Sequence, residues 1–233
     1  KPNILWLVTE DMGQYLPSFG DNTVLTPNLS RLANEGIRYP NVFSPSGVCA
    51  PSRAAIATGM YPSSIGANHM RTTSYTEVTG LPKYEAVPPP EVKMFSELLR
   101  MQGYFCTNNA KNDYQFKAPV TGWDQNGKKA HWKNRAKGQP FFSIFNFNVT
   151  HESGLFEPYE RAIAIPEDIE FSIPPYLPDT KTVRRDLWKM YNNIALMDQQ
   201  IGKVLKELED AGLLENTIVF FYSDHGGPLP RQK

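Results

Sequence analysis

Three apolar runs in this 233-residue chain each end in a short polar cluster carrying an acid or a histidine, and that repetition narrows the folds open to it. Residues 4–8 (Ile-Leu-Trp-Leu-Val) stop at Thr9-Glu10-Asp11, residues 141–149 stop at Thr150-His151, and residues 217–222 stop at Ser223-Asp224-His225. Continuous apolar runs of this length suit strands buried on both faces. A shorter strand-like run follows Gly103 at residues 104–107. Helical patterns lie between them. Residues 28–36 fit a short helix closed by glycine, with a further strand expected at 37–43. Residues 91–102 carry Val92, Phe95, Leu98 and Leu99 at helical spacing, and residues 183–211 keep Leu187, Met190, Ile194, Met197, Ile201, Leu205 and Leu208 near a period of 3.6. Strands alternating with helices predict an α/β fold, a mostly parallel sheet flanked by helices on both faces. Such sheets bind ligands at the carboxyl ends of their strands, where the polar clusters fall.

With 40% hydrophobic and 12% aromatic residues, the chain can bury one large core or two modest ones. Its 24 basic and 24 acidic residues cancel, so no global field argues for nucleic acid or a membrane surface. No apolar run approaches the ~20 residues of a bilayer span. Two cysteines do not make a disulfide framework. Cys106, inside a strand-like run, reads as a buried apolar filler. Residues 61–90 and 154–181, rich in proline and small polar residues, read as long surface excursions, which commonly carry function.

The chemistry centres on residues 48–59, Val-Cys-Ala-Pro-Ser-Arg-Ala-Ala-Ile-Ala-Thr-Gly. Pro51 suits the start of a helix, so Cys49 is expected just outside it, facing free N–H groups and the positive end of the helix dipole. Arg53, four residues on, falls on the same face. A buried cysteine beside a capped helix is the plainer alternative.

This stretch resembles the signature of the type I sulfatases, members of the alkaline phosphatase-like superfamily. Cys49, Pro51, Ser52, Arg53, Thr58 and Gly59 match it. The resemblance implies that Cys49 is converted by a separate maturation enzyme to Cα-formylglycine, and that Ca²⁺ is bound by Glu10, Asp11, Asp224 and His225 together with the modified Cys49. Glu10 stands where relatives commonly carry a second Asp, and its longer side chain leaves open whether it reaches the cation directly. His225 supplies nitrogen where many relatives supply an amide oxygen. His151 matches a substrate-side histidine, Lys111 the lysine of a Lys-x-His pair, and Lys233 a basic sulfate ligand of relatives similar to heparan N-sulfatase. Asp113 occupies the place where the histidine of that pair is expected. His69, in the long loop after the signature helix, is a candidate to line the sugar pocket. His131, among Lys128, Lys129, Lys133 and Arg135, reads as part of a solvated basic loop. The Asn28-Leu29-Ser30 and Asn148-Val149-Thr150 sequons fall in ordered elements and are assigned no role.

The resemblance implies a sulfatase that hydrolyses sulfate esters or sulfamates of a sulfated sugar or glycosaminoglycan. Two alternatives remain: a formylglycine-dependent phosphodiesterase or phosphonate hydrolase of the same superfamily, and a non-catalytic binding homologue. Sulfatases continue beyond this length, so residues 1–233 are expected to be the N-terminal part of a catalytic domain, cut before its C-terminal subdomain and prone to aggregate alone. The expected partners are the sulfated carbohydrate and the maturation enzyme, with no nucleic acid and no membrane span. The expected compartment is secreted, periplasmic or lysosomal.

Overall fold

Three of the sheet's five strands are the apolar runs that end in polar clusters. In the computed structural model, which describes residues 1–70 and 76–233, they are β1 (Asn3–Thr9), β4 (Phe141–Phe147) and β5 (Thr217–Ser223). With β2 (Phe105–Asn109) and the two-residue β3 (Gln125–Asn126) they form one sheet in the order β3-β2-β4-β1-β5. β2 runs parallel to both neighbours, pairing Phe105 with Phe141 and Thr107 with Gln125, and the sheet is mostly parallel. Position in the sheet sets burial. β4 and β1 lie inside the order and hold Phe141, Phe142, Leu5 and Leu7 fully buried, whereas edge strand β5 leaves Ile218 and Phe220 half exposed.

The described residues also hold α1 (Pro27–Glu35), α2 (Cys49–Thr58), α3 (Thr76–Thr79), α4 (Phe95–Met101) and α5 (Lys181–Asp210). The chain divides into two compact units. The first comprises residues 1–8, 43–146 and 215–225 and contains the sheet with α2, α3 and α4. The second comprises residues 9–42, 147–214 and 226–233 and contains α1 and α5.

In the first unit Trp6 of β1 packs against Phe95 of α4, Phe142 of β4 and Tyr222 of β5, with ring centroids 4.8, 5.1 and 5.4 Å apart. The contacts with Phe142 and Tyr222 are edge-on and that with Phe95 is tilted, and ring pairs of this kind stabilise beyond the area they bury. Ala54 and Ala57 of α2 join the same core, which explains the helix's small residues: they let it lie close to its neighbours. α4 starts later than its hydrophobic spacing suggests. Met94 is its N-cap, and the Glu97 carboxylate accepts the Met94 N–H at 2.9 Å, so residues 91–93 stay outside. Cys106 is fully buried in this core, as expected of a filler.

In the second unit α1 lies along α5. The Asp198 carboxylate of α5 accepts the N–H groups of Asn28 and Leu29 at 3.3 and 2.9 Å, supplying from another helix the cap that Thr26 does not make. The Asn28 amide also donates to Asp198. α1 ends at Gly36 without a left-handed residue, contrary to the expected cap: φ is −128°, and glycine serves because a Cβ would meet the Leu32 carbonyl at 2.9 Å. The strand expected at 37–43 is absent. Ile37, Tyr39, Val42 and Phe43 are largely exposed and make no strand, so their apolar character had misled the pattern. Of the expected surface excursion at 61–90, residues 71–75 lie outside the described residues, and the rest includes a short 3-10 turn, Pro62–Ile65, and α3. Residues 156–180 are irregular, as expected. Among the described residues no helix is long and apolar enough to cross a membrane.

Candidate active site

The candidate residues divide between the two units. Cys49, Arg53, His69, Lys111, Asp224 and His225 belong to the first; Glu10, Asp11, His151 and Lys233 belong to the second.

In the first unit Cys49 is the opening residue of α2, with Val48 as N-cap, so it sits within the first turn and not before it. Pro51 is therefore the third helical residue. It is tolerated there because the first-turn N–H groups have no intrahelical carbonyl to reach. α2 ends at Gly59 in a left-handed conformation (φ 68°), its N–H returning to Ala55 O at 2.8 Å. Cys49 Sγ lies 3.3 Å from Nε2 of His225, and both residues are buried. Arg53, one turn along the same face, donates from Nε to Oδ2 of Asp224 at 3.0 Å and from Nη1 to Oδ1 of Asn146 at 2.7 Å. The Ser52 hydroxyl donates to the backbone carbonyl of Asp224. Three signature residues are thus tied to the residues that follow β5 or end β4.

Lys111 pairs with Asp113 at 3.1 Å. Asp113 has φ 51°, a left-handed turn position that a short acid tolerates, and the carboxylate brings a negative partner to Lys111 where a histidine was expected. Lys111 and Arg53 line one cavity with Asn108, Asn146, Tyr114 and Tyr222. Burial pushes the Tyr114 and Tyr222 phenols well above the usual range, while the Arg53 charge draws both back down. His69 is exposed and stacks on Tyr84, ring centroids 4.9 Å apart. Its neighbour Met70, which the sequence did not single out, places Sδ 3.5 Å from the Ala50 N–H at the start of α2. His131 is not the solvated loop residue expected: its ring packs on Trp132 at 4.1 Å and Phe145 at 5.4 Å.

In the second unit the chain turns sharply after β1. Glu10 and Asp11 are both 1% exposed, and Asp11 has φ 48°. Lys233 Nζ reaches Oδ1 of Asp11 at 3.0 Å and the Glu152 carboxylate at 2.6 Å, while the Glu152 N–H donates to Oδ2 of Asp11. Burial alone would lower the Lys233 pKa, but its bonds to Glu152 and Asp11 outweigh that and raise it, so the ammonium stays charged. His151 follows β4 by one 3-10 turn, Asn148–Thr150. Its Nδ1 accepts the Ser153 N–H at 3.2 Å and lies 2.8 Å from Ser153 Oγ, which leaves Nε2 as the protonated nitrogen of the neutral ring. Nε2 is 4.0 Å from Oδ2 of Asp11. Asp11, His151 and Lys233 are brought together within this unit.

Which donors could hold a divalent cation follows from type and burial. Glu10, Asp11 and Asp224 are buried carboxylates, the hard oxygen donors that Ca²⁺ takes. His225 adds a nitrogen, which such a site uses less often. As donor types, the three carboxylates suit a hard cation.

A family model described as Sulfatase matches residues 2–129 and 128–233 of the chain. A curated relative from Formosa agariphila, "Ulvan-active sulfatase", is 61% identical over 267 aligned residues, covering 100% of this chain and 45% of the relative. The human N-sulphoglucosamine sulphohydrolase is 26% identical, covering 98% of this chain and 51% of its own length. The chain thus spans about half the length of these relatives. Among solved structures, one in complex with its substrate D-glucosamine-2-N,6-O-disulfate superposes with a TM-score of 0.65 at 20% identity, covering 96% of this chain and 65% of that one. The phosphonate monoester hydrolase of Agrobacterium radiobacter superposes with a TM-score of 0.68 at 15% identity, covering 97% and 63%. At those identities the likeness is one of fold.

Proposed function

Because this chain belongs to the sulfatase family, we propose that the protein carrying it hydrolyses sulfate esters or sulfamates of a sulfated polysaccharide, with Cys49 as the precursor of its nucleophile. The observation that carries this is the signature itself in place: Cys49 in the first turn of α2 beside His225, with Arg53 of the same face held by Asp224. The 61% identical relative is named for activity on ulvan, and ulvan is accordingly the first substrate to test.

Converted by a maturation enzyme to Cα-formylglycine, Cys49 would supply an aldehyde hydrate as nucleophile, and Ca²⁺ held by Glu10, Asp11, Asp224 and His225 would offset anionic charge on the sulfuryl group. The chain's own residues do the rest. Arg53, Lys111 and Lys233 are the cations assigned to the sulfuryl oxygens, where charge spreads in the transition state and fixed positive groups act most strongly. Lys111 and Lys233 each arrive with an acid partner, Asp113 and Glu152 respectively, which fixes them in position without removing their charge. His151 is assigned the leaving-group proton. Its Nδ1 is engaged by Ser153, so Nε2 is the nitrogen through which the imidazolium form would pass that proton, leaving the neutral ring behind. His69, stacked on Tyr84, presents a flat exposed surface of the kind sugar rings pack against. The same reaction class accounts for the first-turn position of Cys49, where helix N–H groups favour an oxyanion.

The test uses the full-length protein, co-expressed with a formylglycine-generating enzyme and assayed for sulfate release from ulvan and a panel of sulfated oligosaccharides. Release from at least one, with none from the Cys49→Ala variant, supports the proposal. A fully converted protein that releases no sulfate from the panel but cleaves phosphate diesters overturns it.

A further inference from the structure

Arg53 can only donate hydrogen bonds, and that fact sets the direction of a chain of side-chain amides behind it. Its Nη1 donates to Oδ1 of Asn146, so the Asn146 amide must turn its nitrogen the other way. That nitrogen donates to Oδ1 of Asn108 and to the backbone carbonyl of Asn109, both at 3.0 Å. The Asn108 oxygen being taken, its own nitrogen faces Asn126 Oδ1 at 3.0 Å, Asn112 Oδ1 at 2.6 Å and the Lys111 carbonyl at 3.1 Å. The carbonyl end of each asparagine points toward Arg53 and the amino end away, across the C-terminal ends of β4, β2 and β3. Asn108 is 1% exposed, where an unpaired amide would be costly. None of these asparagines belongs to the signature.

We propose that Asn146, backed by Asn108, is a positioning residue: it fixes the rotation of the Arg53 guanidinium and ties it to the turn that carries Lys111. This rests on the reading of Arg53 and Lys111 as ligands of the sulfuryl group. Asp224 accepts from Nε of Arg53 and Asn146 from Nη1, so bonds on two different nitrogens define the plane of the fork, and the one to Asn146 sets the outer end of it. Because Asn146 also grips Asn108, whose amide holds the Lys111 carbonyl, the two cations lining the cavity are set by one network.

The experiment measures inorganic sulfate binding by calorimetry alongside turnover, in the full-length converted protein and in two variants. Asn146→Ala should lose roughly ten- to a hundredfold in kcat/KM, the usual consequence of a catalytic group displaced by about an ångström. Sulfate affinity should fall in step. Asn146→Asp keeps an acceptor for Arg53 but, when ionised, has no hydrogen for Asn108 or the Asn109 carbonyl. Its activity relative to wild type should therefore rise as the pH falls and the new carboxyl protonates, a signature that a merely structural role would not give. Thermal unfolding of each variant reports whether the fold is kept, and Asn146→Asp carries the test if Asn146→Ala does not fold. Wild-type sulfate affinity in Asn146→Ala, or no acid-side gain in Asn146→Asp, overturns the positioning role. A wild type that binds sulfate but turns over no sulfated sugar would instead count against the proposed function, and a wild type that binds no sulfate would count against both.

Discussion

The Nε–H of Arg53 donates to Oδ2 of Asp224 at 3.0 Å, joining the helix that starts at Cys49 to the residue that follows β5. Their side chains are 7% and 0% exposed. A pair this dry is held by mutual need. Removing either one takes an ion-pair partner from a buried charge, and loss of Arg53 would also take the donor from the Asn146 oxygen.

Arg53→Met or Asp224→Asn, each of which breaks the pair from one side, should therefore destabilise the protein by about 3–5 kcal/mol. Denaturant midpoints at unchanged slope would measure it in the full-length protein. A loss below about 1 kcal/mol, the range of an exposed pair, would mean that water reaches these groups after all.

Cys49→Ala should abolish turnover and leave folding intact, since Cys49 is small and α2 keeps Val48 as N-cap and Gly59 at its end. Cys49→Ser separates maturation from chemistry: it retains a hydroxyl at the same place, and its activity depends on whether the maturation machinery accepts serine. Tm and sulfate release measured on the same preparations check both. Residual turnover of more than a few per cent in Cys49→Ala would remove Cys49 from the mechanism.

Asp11→Asn should weaken Ca²⁺ binding and lower activity, and chelation should inactivate the wild type reversibly. Glu10→Gln should do less if Glu10 supports the cation from behind. Calcium titration followed by calorimetry orders the three proteins. Full activity after exhaustive chelation would discard the hard-cation assignment.

Cys106 offers a contrast with Cys49. Burial pushes its thiol up to about 12, with the nearby Asp124 carboxylate adding to the rise and Arg100 opposing it. At pH 9 the native protein should resist alkylation at Cys106, and the unfolded chain should react. The unfolded thiol ionises near the ordinary value of 9.0 while the native one holds its proton to about 12, so stability falls as the pH rises across that interval. Cys106→Ala should lessen that alkaline decline, which urea titrations between pH 8 and 11 would show.

The strands that carry chemistry were legible because each is a continuous apolar run, and the polar cluster after each run marks its exit from the sheet. α5 was legible from its period, to within two residues at the start and one at the end. What escaped depends on contacts distant in sequence. β3 has two residues and exists only because β2 lies beside it. The exposed residues 37–43 looked like a strand because apolar residues were counted without knowing that they would face solvent. The cap of α1 comes from Asp198, some 170 positions away. Asn146 and Asn108 were hidden for the same reason: asparagine inside an apolar run reads as a blemish until the arginine it serves is placed beside it.

Sulfate hydrolysis is assigned to a converted Cys49. The direct measurement is the fraction of the Cys49 peptide found as formylglycine by mass spectrometry, set against the rate of sulfate release from ulvan across preparations of the full-length protein matured to different extents. A straight line through the origin is expected. Sulfate release from protein whose Cys49 is wholly unconverted, or fully converted protein with none on ulvan or any other sulfated glycan, would contradict it.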